Sequence, residues 1–199
     1  MAINSSVKGS FWNRELTLFG IELDDTLKRA RKLDANALAQ IHDQYYPEIY
    51  RYVRYRLDNE QVCEDITSEV FLRLLDALHQ NRGPNQSLRG WLFGTASNLV
   101  NDHLRHRYAR PVEELKEHSD DGNIDESNSP EQFLDDSFQR QEVRHAFQKL
   151  TSEQQHVLAL RFADERSLDE TARIIGKSIS AVKALQFRAL ASLRRYLDE

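Results

Sequence analysis

Between Ser167 and Leu197 the chain reads SLDETARIIGKSISAVKALQFRALASLRRYL, and from Thr171 to Leu197 it holds no acidic residue. Lys177, Lys183 and Arg188, with Arg173, Arg194 and Arg195 nearby, can do one kind of chemistry together. They can approach phosphates and release the counterions condensed on a duplex, which gives a salt-sensitive affinity. Ser180, Ala181, Lys183, Ala184 and Arg188 would be the outward positions of a helix beginning after Ser178. Such a helix offers its N-terminal half to a major groove.

The elements needed to hold that helix are written in the same stretch. Ala172 is small enough for two helices to cross closely, Gly176 can take the positive φ of a tight turn, and Val182 anchors the second helix on the first. Ile175 and Leu185 extend this core, and Ser178 stands at the N-cap position. An ordinary helical hairpin with a solvated basic face would share some of these features. The coincidence of cap, breaker, buried Val and acid-free surface favours DNA binding through a helix-turn-helix.

A second constellation lies on CEDITSEVFLRLLDAL. Val62, Ile66, Val70 and Leu74 recur on one helical face, while Asp65, Glu69, Leu72, Arg73 and Asp76 occupy another. That second face is acidic with an apolar patch, which suits a basic protein partner and suits DNA poorly. On the next helix Leu92, Ala96, Leu99 and Leu104 can face inward, leaving Asn98, Asn101, Asp102 and Arg105 displayed together. Arg105, Arg107 and Arg110 make a basic end, and Trp91 and Phe93 sit close by, a set suited to holding unstacked bases of single-stranded DNA.

The 199 residues carry a formal net charge of -5, yet from Glu113 to Glu142 eleven acids face only two bases, Lys116 and Arg140. This stretch, rich also in Ser and Asn, reads as a flexible linker. It accounts for the acidic total while leaving both flanks free to be locally basic. Only seven Gly and four Pro occur, which favours helices. The fold expected is all-α, with two small helical domains joined by an acidic tether. The boundaries are an N-terminal extension at 1–24, a first domain at 25–110, the linker at 111–142 and a second domain at 143–199. In the second, Val143, Phe147, Leu150, Val157, Leu158 and Phe162 mark two short helices, and Thr151 or Ser152 is the cap expected between them.

Other classes fare worse. No apolar run of roughly 18 residues occurs and the N-terminus lacks the order of a signal peptide, so no membrane insertion and a cytoplasmic location are expected. The lone Cys63 agrees, since a single thiol makes no internal disulfide. His103 and His106 lie one turn apart without a Cys or carboxylate cluster to complete a site, so no metal is expected. Phe11 and Trp12 read as docking onto the first domain. Ser, His and Asp are scattered without catalytic spacing, and no phosphate-binding Gly loop is present. Neither an enzyme nor a cofactor is expected.

YYPEIYRYVRYRL, CEDITSEVFLRLLDAL and LRGWLFGTASNLVNDHLRHRYAR together resemble region 2 of the extracytoplasmic-function sigma factors, and LTSEQQHVLALRFADERSLDETARIIGKSISAVKALQFRALASLRR resembles their region 4. The resemblance implies a promoter-specificity subunit of core RNA polymerase. Asp65, Glu69, Phe71, Leu72 and Arg73 would dock on the clamp helices of the largest subunit. Trp91, Asn98, Asn101, Arg105 and Arg107 would meet the minus-10 element as it opens. Lys177, Ser180, Ala181, Lys183, Ala184 and Arg188 would read the minus-35 duplex, with region 4 also touching the polymerase flap. The family commonly uses an anti-sigma factor, which adds a further candidate partner. The rivals are an autonomous helix-turn-helix regulator binding duplex DNA without polymerase, and an interaction protein that only sequesters partners.

Overall fold

The computed structural model describes residues 25–85, 87–109 and 141–198. Phe11, Trp12 and most of the acidic linker lie outside these residues. Every regular element described is a helix: α1 (25–30), α2 (Ala35–Arg56), α3 (Glu60–His79), α4 (Leu88–Ala109), α5 (141–148), α6 (Ser152–Leu158) running into a π turn (Ala159–Ala163), α7 (Leu168–Ile175) and α8 (Ile179–Leu197). None is long and apolar enough to cross a membrane.

Helices α2, α3 and α4 form because each carries an apolar stripe and a defined start. Asp34 caps α2 by accepting from the Ala37 amide at 3.0 Å, and its own pKa falls through that bond, helped by the Arg29 guanidinium. Asn59 caps α3 through the Val62 amide. Ile41, Tyr45, Ile49 and Val53 from α2 meet Cys63, Ile66, Val70 and Leu74 from α3 and Leu92, Phe93, Ala96 and Val100 from α4 in one buried core. Each large aliphatic or Phe side chain so buried contributes about 1.5–3 kcal/mol. Thr67, polar and buried among them, donates its hydroxyl to the Cys63 carbonyl at 2.7 Å, which satisfies that group.

The second group of helices is built by capping. Thr151 and Gln154 form a capping box at α6, and Ser167 and Glu170 form another at α7. Gly176 ends α7 at φ 66° and ψ 33°, the left-handed conformation that costs a side-chain-bearing residue most. Ser178 then starts α8 by accepting from the Ala181 amide. Val157, Ala172, Val182 and Leu185 are buried together, and Phe147, Leu150, Leu158 and Ala189 form a second cluster. Val143 and Phe162, among the apolar residues that mark these helices in the sequence, are 46% and 50% exposed. Phe162 sits in the π turn, whose altered pitch turns it away from the face that α6 buries.

The two groups share buried contacts. Ala159, Leu160 and Ile174 are buried in the same core cluster as the α2–α4 residues. The two helical groups that the sequence joins by a tether also touch: α6, the π turn and α7 pack directly against α2 and α4.

Candidate polymerase and nucleic-acid interfaces

On α3 the face opposite the core is open. Asp65 and Arg73 are exposed, Glu69 is partly so, and Leu72 stands 58% exposed among them. Glu69 Oε1 accepts from Arg73 Nε at 2.8 Å, one helical turn away. An exposed pair of this kind adds only about 0.3–0.5 kcal/mol to stability, so these side chains remain available to a partner. Phe71 is different. It is half-buried, with its ring 5.0 Å from His42 at 60° and 6.0 Å from Tyr46 at 25°, and Tyr46 in turn stacks with Tyr50 at 6.4 Å. Phe71 therefore joins an aromatic row on α2 beside the acidic face. The i, i+4, i+8 spacing of His42, Tyr46 and Tyr50 is the sequence signal for that row.

The α4 residues do not form the single display that their spacing suggests. Asn98, Arg105 and Arg107 are exposed, and Arg105 pairs with Asp102. Trp91 is half-buried against the core. Phe93 is fully buried, edge-on to Tyr52 with centroids 5.4 Å apart, and so cannot stack an unpaired base. Asn101 is turned away from Asn98: its Oδ1 accepts from Arg56 Nη2 at 2.6 Å. His103 is held below its ordinary pKa by burial, with the nearby Arg107 and His106 acting in the same direction. Among the described residues no group of three or more His, Cys, Asp or Glu side chains could hold a metal ion.

On α8 Ser180, Ala181, Lys183, Ala184 and Arg188 are all exposed, and the first turn carries no acid. Among the described residues Lys183 and Arg188 have no carboxylate partner, so both cations are free to meet phosphate. Lys177 pairs with Glu153 at 3.1 Å, and Arg173 pairs with Asp169. Phe187, 75% exposed, and Leu190 add an apolar strip further along the helix.

Arg56, only 2% exposed, is the hub of the seam between the two groups. Its guanidinium donates to Tyr52 Oη at 3.0 Å, Ser97 Oγ at 3.3 Å, Asn101 Oδ1 and Gln155 Oε1 at 2.8 Å. Gln155 Nε2 in turn donates to the carbonyls of Phe147, Gln148 and Leu150. Tyr52 Oη also lies 2.6 Å from His156 Nδ1. Around this centre Arg166 reaches Glu48 and Asp164, Arg51 reaches Asp164, and Arg144 pairs with Asp58. Beside it α4, α6 and α7 leave a cleft of about 330 Å³ lined by Gly90, Gly94, His156 and Ile174 among others. The bonds that cross the seam could not be read from local pattern, because their partners lie far apart in the chain.

Comparison with known proteins matches residues 41–110 to the Sigma-70 region 2 model and residues 146–195 to the Sigma-70, region 4 model, together more than half of the chain. The ECF RNA polymerase sigma factor BldN of Streptomyces coelicolor is 34% identical over 88% of this chain, which spans 66% of that relative's length. The RNA polymerase sigma factor YlaC of Bacillus subtilis is 29% identical over 82% of this chain and 94% of its own. Among solved structures, CnrH in complex with the cytosolic domain of CnrY aligns with a TM-score of 0.60 at 21% identity, covering 87% of this chain and 95% of that one. That last likeness concerns the fold.

Proposed function

The chain belongs to the extracytoplasmic-function sigma factors, and from that premise we propose that it is a dissociable subunit giving core RNA polymerase its promoter specificity. Asp65, Glu69, Phe71, Leu72 and Arg73 dock the protein on the clamp helices of the largest subunit. Once region 4 is released, Asn98, Asn101, Arg105 and Arg107 meet the minus-10 strand as it separates, with Trp91 bracing the start of α4. Lys177, Ser180, Ala181, Lys183, Ala184 and Arg188 read the minus-35 duplex, and region 4 also touches the flap. The protein performs no covalent chemistry itself and acts in the cytoplasm, where polymerase and promoter are. An anti-sigma factor is a further partner of the same docking surfaces. Residues 25–110 form the polymerase-binding and melting domain and 143–199 the upstream-reading domain.

The observation that carries this reading is the pairing on one chain of an open acidic α3 face with an α8 whose outward half has no acid. Basic protein and nucleic acid are thus offered different helices. The autonomous-regulator reading explains α8 and leaves the acidic face without a purpose.

The test is co-elution of the full-length protein with bacterial core RNA polymerase, beside a Glu69→Lys variant. The wild type should co-elute and the charge-reversed variant should not, at unchanged helicity. Equal co-elution of both would remove the role given to α3. No co-elution of the wild type, with tight binding to paired duplex half-sites, would return the autonomous regulator.

A further inference from the structure

We propose that the seam between α2–α4 and α6–α7 is a proton-sensitive latch: Arg56, Tyr52, Gln155 and His156 hold the free protein closed, and acid releases it. The inference rests on the sigma reading only for its consequence at promoters. A compact body of the size described has a radius of gyration of about 15 Å, whereas elements centred near minus-10 and minus-35 are about 85 Å apart at about 3.4 Å per base step. The closed form cannot span both elements.

The hydrogen bonds and burial around His156 favour one protonation state in the closed form. Arg56 Nη1 donates to Tyr52 Oη at 3.0 Å, and the Tyr52 hydroxyl, 2.6 Å from His156 Nδ1, is free to donate its proton there. In that arrangement His156 is a neutral acceptor, and its burial and the neighbouring Arg56 charge disfavour the protonated ring. Protonation would put a donor where Tyr52 donates and a second cation beside the buried guanidinium of Arg56. Burial, and then the charge of Arg56, depress the His156 pKa from 6.5 to about 3. The other groups around it are limited. From α2 come Tyr52 and Arg56; Glu153 of its own helix and Lys177 after α7 lie at the rim of the cleft and pair with each other; α4 contributes Gly90 and Gly94.

The sign follows from linkage. With the closed-form pKa depressed, the contribution of neutral His156 to closure is fully present above about pH 6.5 and is lost as pH falls, because the open form takes up the proton more readily. Between pH 8 and pH 5 the closed-to-open ratio should drop about 30-fold. Apolar contacts of Leu160 and Ile174 support closure at every pH, so acid changes the proportion of open molecules rather than abolishing the closed form.

Gly90 offers an independent handle. A Cβ there would stand 3.1 Å from the Ile174 carbonyl oxygen, so the close approach of α7 to α4 relies on its absence.

The test uses the full-length chain carrying Ser97→Cys, a near-isosteric probe at a seam position that is 8% exposed. Cys63, in the α2–α4 core, serves as the internal reporter of unfolding. Labelling by 4,4′-dithiodipyridine, which reacts in acid, is read by mass spectrometry relative to the denatured chain at each pH. Labelling of the introduced seam thiol should rise about 30-fold from pH 8 to pH 5 while Cys63 stays protected, and His156→Gln should remove the rise. Gly90→Ala should increase labelling of the seam thiol at pH 8, again with Cys63 protected. A flat pH profile for the seam thiol, or an equal rise in the His156→Gln chain, overturns the proton sensor. Joint labelling of both thiols would show unfolding in place of latch release and would overturn it too.

Discussion

Arg166, in the connection before α7, reaches across the seam so that its Nη2 lies 2.7 Å from Oε2 of Glu48 on α2. Both side chains are largely buried, at 13% and 16% exposure, and Glu48 also takes Arg89 from α4 at 3.3 Å. One carboxylate thus ties together three elements from both ends of the chain. Removing its charge takes away the carboxylate that Arg89 pairs with and leaves Arg166 to Asp164 and Glu170 alone.

Glu48→Gln should therefore cost about 2–4 kcal/mol of stability, near the range for breaking one side of a buried ion pair. Arg73→Ala, which breaks the exposed pair with Glu69, should cost under about 1 kcal/mol. Urea denaturation midpoints of the two variants measure the contrast. Equal midpoints would mean that water reaches Glu48 and that the pair is no more than a surface contact.

The turn before α8 makes a second, local prediction. Gly176 holds φ 66° with open space where a Cβ would be, so Gly176→Ala introduces backbone strain without a clash. The cost should be about 1–2 kcal/mol. Ser178→Ala, which removes the cap on the Ala181 amide, should cost about 1 kcal/mol, and Ser178→Gly only a few tenths. Thermal melts of the three variants give the ranking.

How much of this is legible in the sequence depends on distance along the chain. Gly176, Ser178 and Val182 declare themselves by type and spacing, because turn and cap chemistry acts within a few residues. The α3 faces follow from helical periodicity in the same way. Phe93 departs from its expected exposure because neighbours Trp91 and Phe93 look alike in sequence, while only the packing of Tyr52 edge-on to Phe93 decides which is enclosed. The seam is invisible for a different reason. Tyr52 and His156 are 104 residues apart, and no local period links a donor on one helix with an acceptor that far away. Arg56, ending a basic and aromatic run, reads as a surface cation until the helices that bury it are in place.

Cys63 gives a prediction in which the sign needs care. Burial pushes its thiol up to about 11 from an ordinary 9, so the folded form favours the neutral thiol. The stability this contributes is complete below pH 9 and is lost as pH rises from 9 towards 11, where only the unfolded chain ionises readily. At pH 8 the thiol should react with a disulfide reagent orders of magnitude more slowly in the folded protein than in urea. Comparable rates would mean that the α2–α3 core opens far more often than its packing indicates.

The last prediction separates free from occupied cations on the second domain. Lys183 and Arg188 are exposed and without a carboxylate partner among the described residues, whereas Arg173 already pairs with Asp169. If α8 lies against a duplex, each free cation that meets a phosphate displaces counterions, and its removal should lower the slope of log affinity against log salt by about 0.9. Lys183→Ala and Arg188→Ala should each do so in the polymerase-bound protein on promoter DNA, with affinity falling across sequences alike for a pure phosphate contact. Arg173→Ala should change the slope less, because Arg173 stands on α7, off the outward half of α8 that is given to the duplex. Salt titrations of the three holoenzymes measure the slopes. Equal slopes throughout would place another surface of the domain on the DNA, whereas loss confined to particular base pairs at Arg188 would make that residue a base reader rather than a phosphate anchor.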